Sequence, residues 1–279
     1  MDNLLEQSHR THANRRYALM FKLVIFDMDG VITNTAVVHA RAWKSVFDEM
    51  LAKRSQRKGE TFKEFRIDSD YHEHVDGKPR LVGIGNFLRS RDIELPHGED
   101  TDQSVESVVG IGNKKDRIFL DLIDELGVEV FKDCENLINH LSSVSIDLAV
   151  ASSSKNCRYL LERASLTKYF KKIYDGNTIK ERHLRGKPHP DMFSELIKEF
   201  SCSPSDVIII EDAISGVQAS KAANVGLTLG LDRIGQNLKE AGADKVVSSL
   251  SDVTAQKLAS WHEASVHGQL VKSQTSEKL

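Results

Sequence analysis

FKLVIFDMDG (residues 21–30) is a short apolar run that ends abruptly in two aspartates and a glycine. A continuous run of this length, with no alternation of apolar and polar residues, is the pattern of a strand buried on both faces of a parallel sheet. IDLAVA (146–151) and VIIIED (207–212) repeat it, each followed by small or polar residues and then by helical periodicity. VGLTLG (225–230) and KVV (245–247) are weaker versions. Strands alternating with helices over residues 130–250 predict a doubly wound α/β core with right-handed crossovers.

The stretch between the first strand and this repeat is different. Val38, Ala42, Val46 and Met50, with Trp43 and Phe47 beside them, recur at helical spacing, and RSQRKGE (54–60) is expected to break that helix. Further helices are predicted around 81–91 and 114–126. The domain reading is therefore a core of residues 20–35 and 131–261, a helical cap of residues 36–130, an N-terminal extension of residues 1–19 and a frayed polar tail of residues 262–279. A cap inserted after the first strand would cover the strand ends, where such sheets bind ligands.

Composition narrows the function classes. The 279 residues carry 38 Lys and Arg against 41 Asp and Glu, a formal charge of −3 spread along the chain, which predicts no nucleic acid and no membrane among its partners. Three cysteines, Cys134, Cys157 and Cys202, form no CxxC pair, and the reading is a reducing cytoplasm without a disulfide framework or zinc site. No signal peptide and no anchor are expected, because no stretch approaches the roughly 20 apolar residues of a membrane span.

Four motifs carry the chemistry. Asp27 and Asp29 stand two residues apart at a strand end, where their carboxylates can face one side, and Gly30 permits the tight exit. An ionised carboxylate can attack phosphorus and offers magnesium the hard oxygen it prefers. Ser152, Ser153, Ser154, Lys155 and Asn156 follow the second strand and precede a helix, a place where hydroxyls and backbone N–H groups cradle phosphate. Lys187 sits in GKPHPD (186–191), where prolines fix the entry to a helix and so place its ammonium. Glu211 and Asp212 end the most apolar strand, and burying two acids is costly unless a positive charge lies among them. Taken singly, the first three have ordinary alternatives: capping aspartates, a serine N-cap, and a lysine in a turn.

In this order the four motifs resemble the haloacid dehalogenase superfamily over about residues 21–250. The resemblance implies a Rossmann-like core with Asp27 as nucleophile and Asp29 as general acid/base. It implies Mg2+ held by the Asp27 carboxylate, the Asp29 backbone carbonyl, Glu211 and Asp212, with Ser152 and Lys187 on the transferring phosphoryl group. DGVITNTA (29–36), His39 with RAW (41–43) and ASSSKN (151–156) are similar to the beta-phosphoglucomutase group. That similarity implies a cap closing over a sugar phosphate, with Gly77 and Arg80 of VDGKPR (75–80) at the distal phosphate, Lys114 near a cap lysine, Trp43 on the sugar or in the cap core, and His39 in the cap core or beside Asp29, helping to switch proton-transfer states between open and closed forms. Asn34 departs from the aspartate of many relatives, and the cap is enlarged around residues 53–70 and 95–108. The implied reaction interconverts beta-glucose 1-phosphate and glucose 6-phosphate, with beta-glucose 1,6-bisphosphate as intermediate and primer. The same motifs serve a sugar-phosphate phosphatase, and a catalytically silent phosphosugar-binding module is the distant alternative. Dehalogenation leaves Glu211 and Asp212 without a task.

Overall fold

The computed structural model describes residues 20–75, 78 and 80–276. The N-terminal extension, Gly77 and the last three residues lie outside the described residues. The chain divides into two compact units, residues 35–128 and residues 1–34 with 129–279.

The first unit is helical. Helix α1, Ala36–Lys58, buries Ala42, Trp43, Val46, Phe47 and Met50 along one face. It runs through the segment where a break was expected and stops only at Gly59, whose φ of 68° and N–H to Ser55 close the last turn. Arginine, glutamine and lysine support a helix, so the true stop signal in RSQRKGE is its glycine. A π-helical segment, Ile67–Val75, precedes α2, Arg80–Ser90. Helix α3, Val108–Leu126, starts earlier than its periodicity predicts, because the Ser107 side chain accepts the Gly110 N–H as an N-cap. Phe47, Phe65 and Phe87 pack with ring centroids 4.3–4.9 Å apart at the centre of this unit.

The second unit is a six-stranded parallel sheet, with strands β1 Leu23–Phe26, β2 Asp147–Ala151, β3 Lys172–Tyr174, β4 Val207–Glu211, β5 Leu227–Leu231 and β6 Lys245–Val247. Their spatial order is β3-β2-β1-β4-β5-β6. The helices of this unit are α4 Lys132–Ser143, α5 Cys157–Arg163, α6 Gly176–Glu181, α7 Asp191–Glu199, α8 Ile214–Ala222 and α9 Ala255–Ser276. This is the doubly wound α/β core with a helical insertion. β3, only three residues long and opened by an exposed lysine, carries too little apolar pattern to be read from sequence. β1 lies at the centre, entirely buried, and the sheet is extended from it in both directions, so its carboxyl end is a switch point. The register pairs Phe26 with Val150 on one side and with Ile210 on the other. The next residue on each strand, Asp27, Ala151 and Glu211, therefore falls at one level.

The tail expected to fray from residue 262 does not fray there. Helix α9 continues through Ser276, and His262 is buried with Nε2 2.6 Å from the Ser205 carbonyl oxygen. Leu258, Ala259 and His262 lie on one buried stripe, and the polar sequence hid it because one member is a histidine satisfied by backbone. Among the described residues no helix is long and apolar enough to cross a membrane.

Candidate active site

Asp27 leaves β1 with its N–H still bonded to Ile210, which holds it between the ends of β2 and β4. Beyond it the chain turns at once. Ile32 and Thr33 donate to the Met28 carbonyl oxygen and Gly30 donates to that of Thr33, which leaves Asp29 at the head of a closed loop. Gly30 has φ 84°, and a Cβ there would stand 1.9 Å from Asp212 Oδ2. Only glycine permits both the left-handed turn and the close approach of Asp212.

Lys187 enters from the segment before α7 and is buried. Its Nζ lies 2.5 Å from Asp27 Oδ1, 2.5 Å from Glu211 Oε1 and 3.1 Å from the Ala151 carbonyl oxygen. Burial by itself pushes the ammonium towards losing its proton, but Asp27 and Glu211 outweigh it and raise the pKa above the usual lysine value. The carboxylates respond oppositely. Burial, with the negative charges of neighbouring acids, pushes both Glu211 and Asp212 above the ordinary carboxylate range, although Lys187 opposes the shift. One ammonium is thus set among more acid than it can neutralise.

A divalent cation would resolve that imbalance. Asp27, Glu211 and Asp212 can each offer an oxygen with all three atoms within 4.8 Å of one another. Beyond its ion pair with Lys187 and a contact from the Ala213 backbone, the buried Glu211 carboxylate has no partner of good hydrogen-bond geometry. A buried carboxylate with lone pairs to spare beside two others is a donor set of the hard, anionic type that Mg2+ takes. The residues fit the ion. Gly216, which the sequence reading passed over, makes room for this arrangement, since a Cβ there would lie 2.0 Å from Glu211 Cδ.

The serine-rich loop is divided by the structure. Ser152 is buried, with its Oγ accepting the Ser154 N–H at 3.1 Å and its own N–H on the Tyr174 carbonyl oxygen. Ser154 Oγ accepts the Asn156 N–H at 3.3 Å, while Ser153 and Lys155 are exposed. A clamp not anticipated from sequence follows β3. Gly176 donates to the Ser154 carbonyl oxygen at 3.1 Å and Asn177 Nδ2 to that of Lys155 at 2.9 Å. A Cβ on Gly176 would meet the Ser153 carbonyl oxygen at 2.7 Å, so the loop lies directly on this glycine.

Within the helical unit the predicted residues have different surroundings. Trp43 lies in the aromatic core, 5.2 Å from Phe47 between ring centroids. His39 stacks on Phe119 at 4.2 Å, and its Nδ1 is 2.6 Å from Lys115 Nζ. Burial, reinforced by the Lys115 charge, lowers the His39 pKa well below the usual histidine value, so the neutral ring accepts from the ammonium. The buried lysine of this unit is Lys115, only 4% exposed, whereas Lys114 pairs with Glu49 at 2.6 Å and is partly exposed. Helical phase could have found it. Ile111, Lys115, Phe119 and Ile123 recur every four residues, and a lysine in that apolar stripe is the anomaly. Arg80 is ion-paired with Asp116 and lies over Gly112, with its Nη1 3.4 Å from the Gly112 carbonyl oxygen.

A family pattern for haloacid dehalogenase-like hydrolases matches residues 21–224. A beta-phosphoglucomutase of Mycobacterium bovis is 38% identical over 235 residues, which are 82% of this chain and 90% of that protein. The crystal structure of a beta-phosphoglucomutase from Clostridium difficile superposes with a TM-score of 0.68 at 26% identity, covering 88% of this chain and 98% of the other. A phosphorylated carbohydrates phosphatase of Thermotoga maritima is 28% identical over 231 residues, 80% of this chain and 93% of its own length.

With a parallel sheet and carboxylates gathered around a lysine at its switch point, this is an enzyme of the phosphotransferase and hydrolase type. The chain belongs to the haloacid dehalogenase superfamily, in its beta-phosphoglucomutase-like group.

Proposed function

We propose that this enzyme transfers phosphoryl groups on a sugar phosphate as a beta-phosphoglucomutase, with Asp27 as the group that is phosphorylated. The observation that carries the reading is the buried Lys187 ammonium, 2.5 Å from both Asp27 and Glu211. A fixed cation at the nucleophile is what phosphoryl transfer needs, since the protein's contribution is mainly positioning and neutralisation of charge. The 38% identity to a mycobacterial beta-phosphoglucomutase supports the choice of substrate.

In this reading phospho-Asp27 gives its phosphoryl group to the 6-hydroxyl of beta-glucose 1-phosphate, and Asp29 takes the hydroxyl proton. The bisphosphate then presents its other end. A carboxylate oxygen of Asp27 attacks the 1-phosphorus, the P–O1 bond breaks, and Asp29 returns the proton to O1, which releases glucose 6-phosphate and restores phospho-Asp27. Lys187 and Ser152 hold the moving group, and the Gly176–Asn177 clamp keeps the serine loop in place. Asp27, the Asp29 carbonyl, Asp212 and Glu211 would hold Mg2+, which supplies further neutralisation of phosphoryl oxygens when bound. In the cap, Arg80 has the guanidinium fork that suits the distal phosphate, and Lys115, held against His39, stands beside Lys114 as a second candidate lysine.

The second reading is a phosphatase, in which water attacks phospho-Asp27; the likeness to the Thermotoga phosphatase favours it. One experiment separates the two. The protein is incubated with beta-glucose 1-phosphate, Mg2+ and beta-glucose 1,6-bisphosphate, and phosphorus NMR follows the products. Glucose 6-phosphate is the expected product; release of inorganic phosphate without it would establish the phosphatase instead.

A further inference from the structure

Arg233 follows β5 and reaches back to the loop that carries the two leading aspartates. Its Nε donates to the Gly30 carbonyl oxygen at 3.2 Å, while Nη1 and Nη2 clasp the two oxygens of Asp133 at 3.1 and 2.9 Å. The guanidinium carbon lies 3.9 Å from the centroid of the Phe131 ring, whose backbone N–H is bonded to the Ile32 carbonyl oxygen. Asp133 is itself anchored, because it accepts the Leu250 N–H at 2.8 Å and the Ser249 hydroxyl at 2.9 Å. Burial works against the Asp133 charge, but the Arg233 fork and these donors prevail and hold its carboxyl down at about 2. One end of the guanidinium is therefore locked to residues 131–133, which are tied in turn to residues 249–250.

The other end acts on the active-site turn. Gly30 follows Asp29 directly, and its Cα faces the Asp212 carboxylate closely enough that no side chain fits between them. We propose that Arg233 is a positioning residue of the active site: by fixing the Gly30 carbonyl it sets the Asp27–Gly30 turn, and with it the spacing of Asp29 and Asp212. A lysine cannot replace it, because a single ammonium lacks the planar fork that satisfies Asp133 and Gly30 together. The inference rests on the roles given above to Asp29 and Asp212.

The test compares full-length wild type with Arg233→Lys and Asp133→Asn, measuring Mg2+ binding by calorimetry, kcat and KM on beta-glucose 1-phosphate, and Tm. Arg233→Lys is expected to lower kcat by about tenfold or more and to weaken Mg2+ several-fold while KM moves little, since small misplacements of reacting groups are costly. Asp133→Asn shifts the same quantities in the same direction but less. Unchanged kcat and Mg2+ affinity in Arg233→Lys, with only Tm altered, would overturn the proposal and leave Arg233 a purely structural residue. If the wild type binds Mg2+ but does not turn over the sugar phosphate, the assigned reaction fails, and the Mg2+ titration still decides on Arg233.

Discussion

Lys187 and Glu211 are buried as a pair, Nζ to Oε1 at 2.5 Å, and the same ammonium touches Asp27. Removing one partner of a buried pair costs more than the pair contributes, because the other charge is left unmatched. Lys187→Met is expected to lower kcat by about 10²–10³-fold, the range seen when one stabilising donor is lost from such a site. In thermal melts the variant should depend more strongly on Mg2+ than the wild type, as the cation becomes the sole positive charge among three acids. Equal Mg2+-induced shifts in Tm for the two proteins would contradict this picture of the charge balance.

Gly30→Ala meets two obstacles at once, a φ of 84° and an Asp212 oxygen 1.9 Å from the new Cβ. Backbone strain alone is worth about 1–3 kcal/mol. Because Asp212 must move, the variant is expected to lose Mg2+ affinity as well as activity, and calorimetric titration with Mg2+ reads the first directly. Gly59→Ala serves as the control: it also changes a left-handed glycine, φ 68°, but its Cβ meets nothing and activity should persist.

The clamp on the serine loop predicts a different signature. Asn177→Ala removes one hydrogen bond to the Lys155 carbonyl oxygen, so the loop loosens without losing Ser152 itself. A net loss of about 1 kcal/mol is expected, read as a several-fold weaker affinity for inorganic phosphate as a competitive inhibitor. Gly176→Ala displaces the loop backbone and should be more severe. Phosphate inhibition unchanged in both variants would remove Ser152–Asn156 from the site.

His39 gives a pH dependence whose sign is fixed by burial. Its pKa in the folded unit lies below the usual histidine value, so the unfolded chain takes up a proton near pH 6.5 while the folded one stays neutral. Stability is therefore full above about pH 6.5 and falls as the pH drops below it, by up to ~1.4 kcal/mol per pH unit until the folded ring titrates. Denaturation followed by Trp43 fluorescence in a Trp261→Phe background, at pH 7.5 and 5.5, should show the loss, and His39→Gln should flatten it.

Much of the candidate site was legible because its acids stand at the ends of apolar runs. Asp27, Glu211 and Asp212 end the two central strands β1 and β4, and Lys187 is flagged by its proline-bounded turn. The buried Lys115 beside Lys114 is legible only from helical phase, which a resemblance along the chain does not weigh. Asn177 and Arg233 are illegible for another reason: they contact Lys155 and Gly30, 22 and 203 residues away, and no local pattern encodes such neighbours.

Local sequence dictates the alternation of buried strands and helices, and it sets acids where strands end. Periodicity and the cost of burying charge are local properties and can be read one segment at a time. Tertiary packing set which charges meet which: Lys187 between Asp27 and Glu211, Arg233 between Gly30 and Asp133, Lys115 against His39. Those pairings depend on strand register and loop packing, which bring distant residues within a few ångströms, where electrostatic energy is steepest.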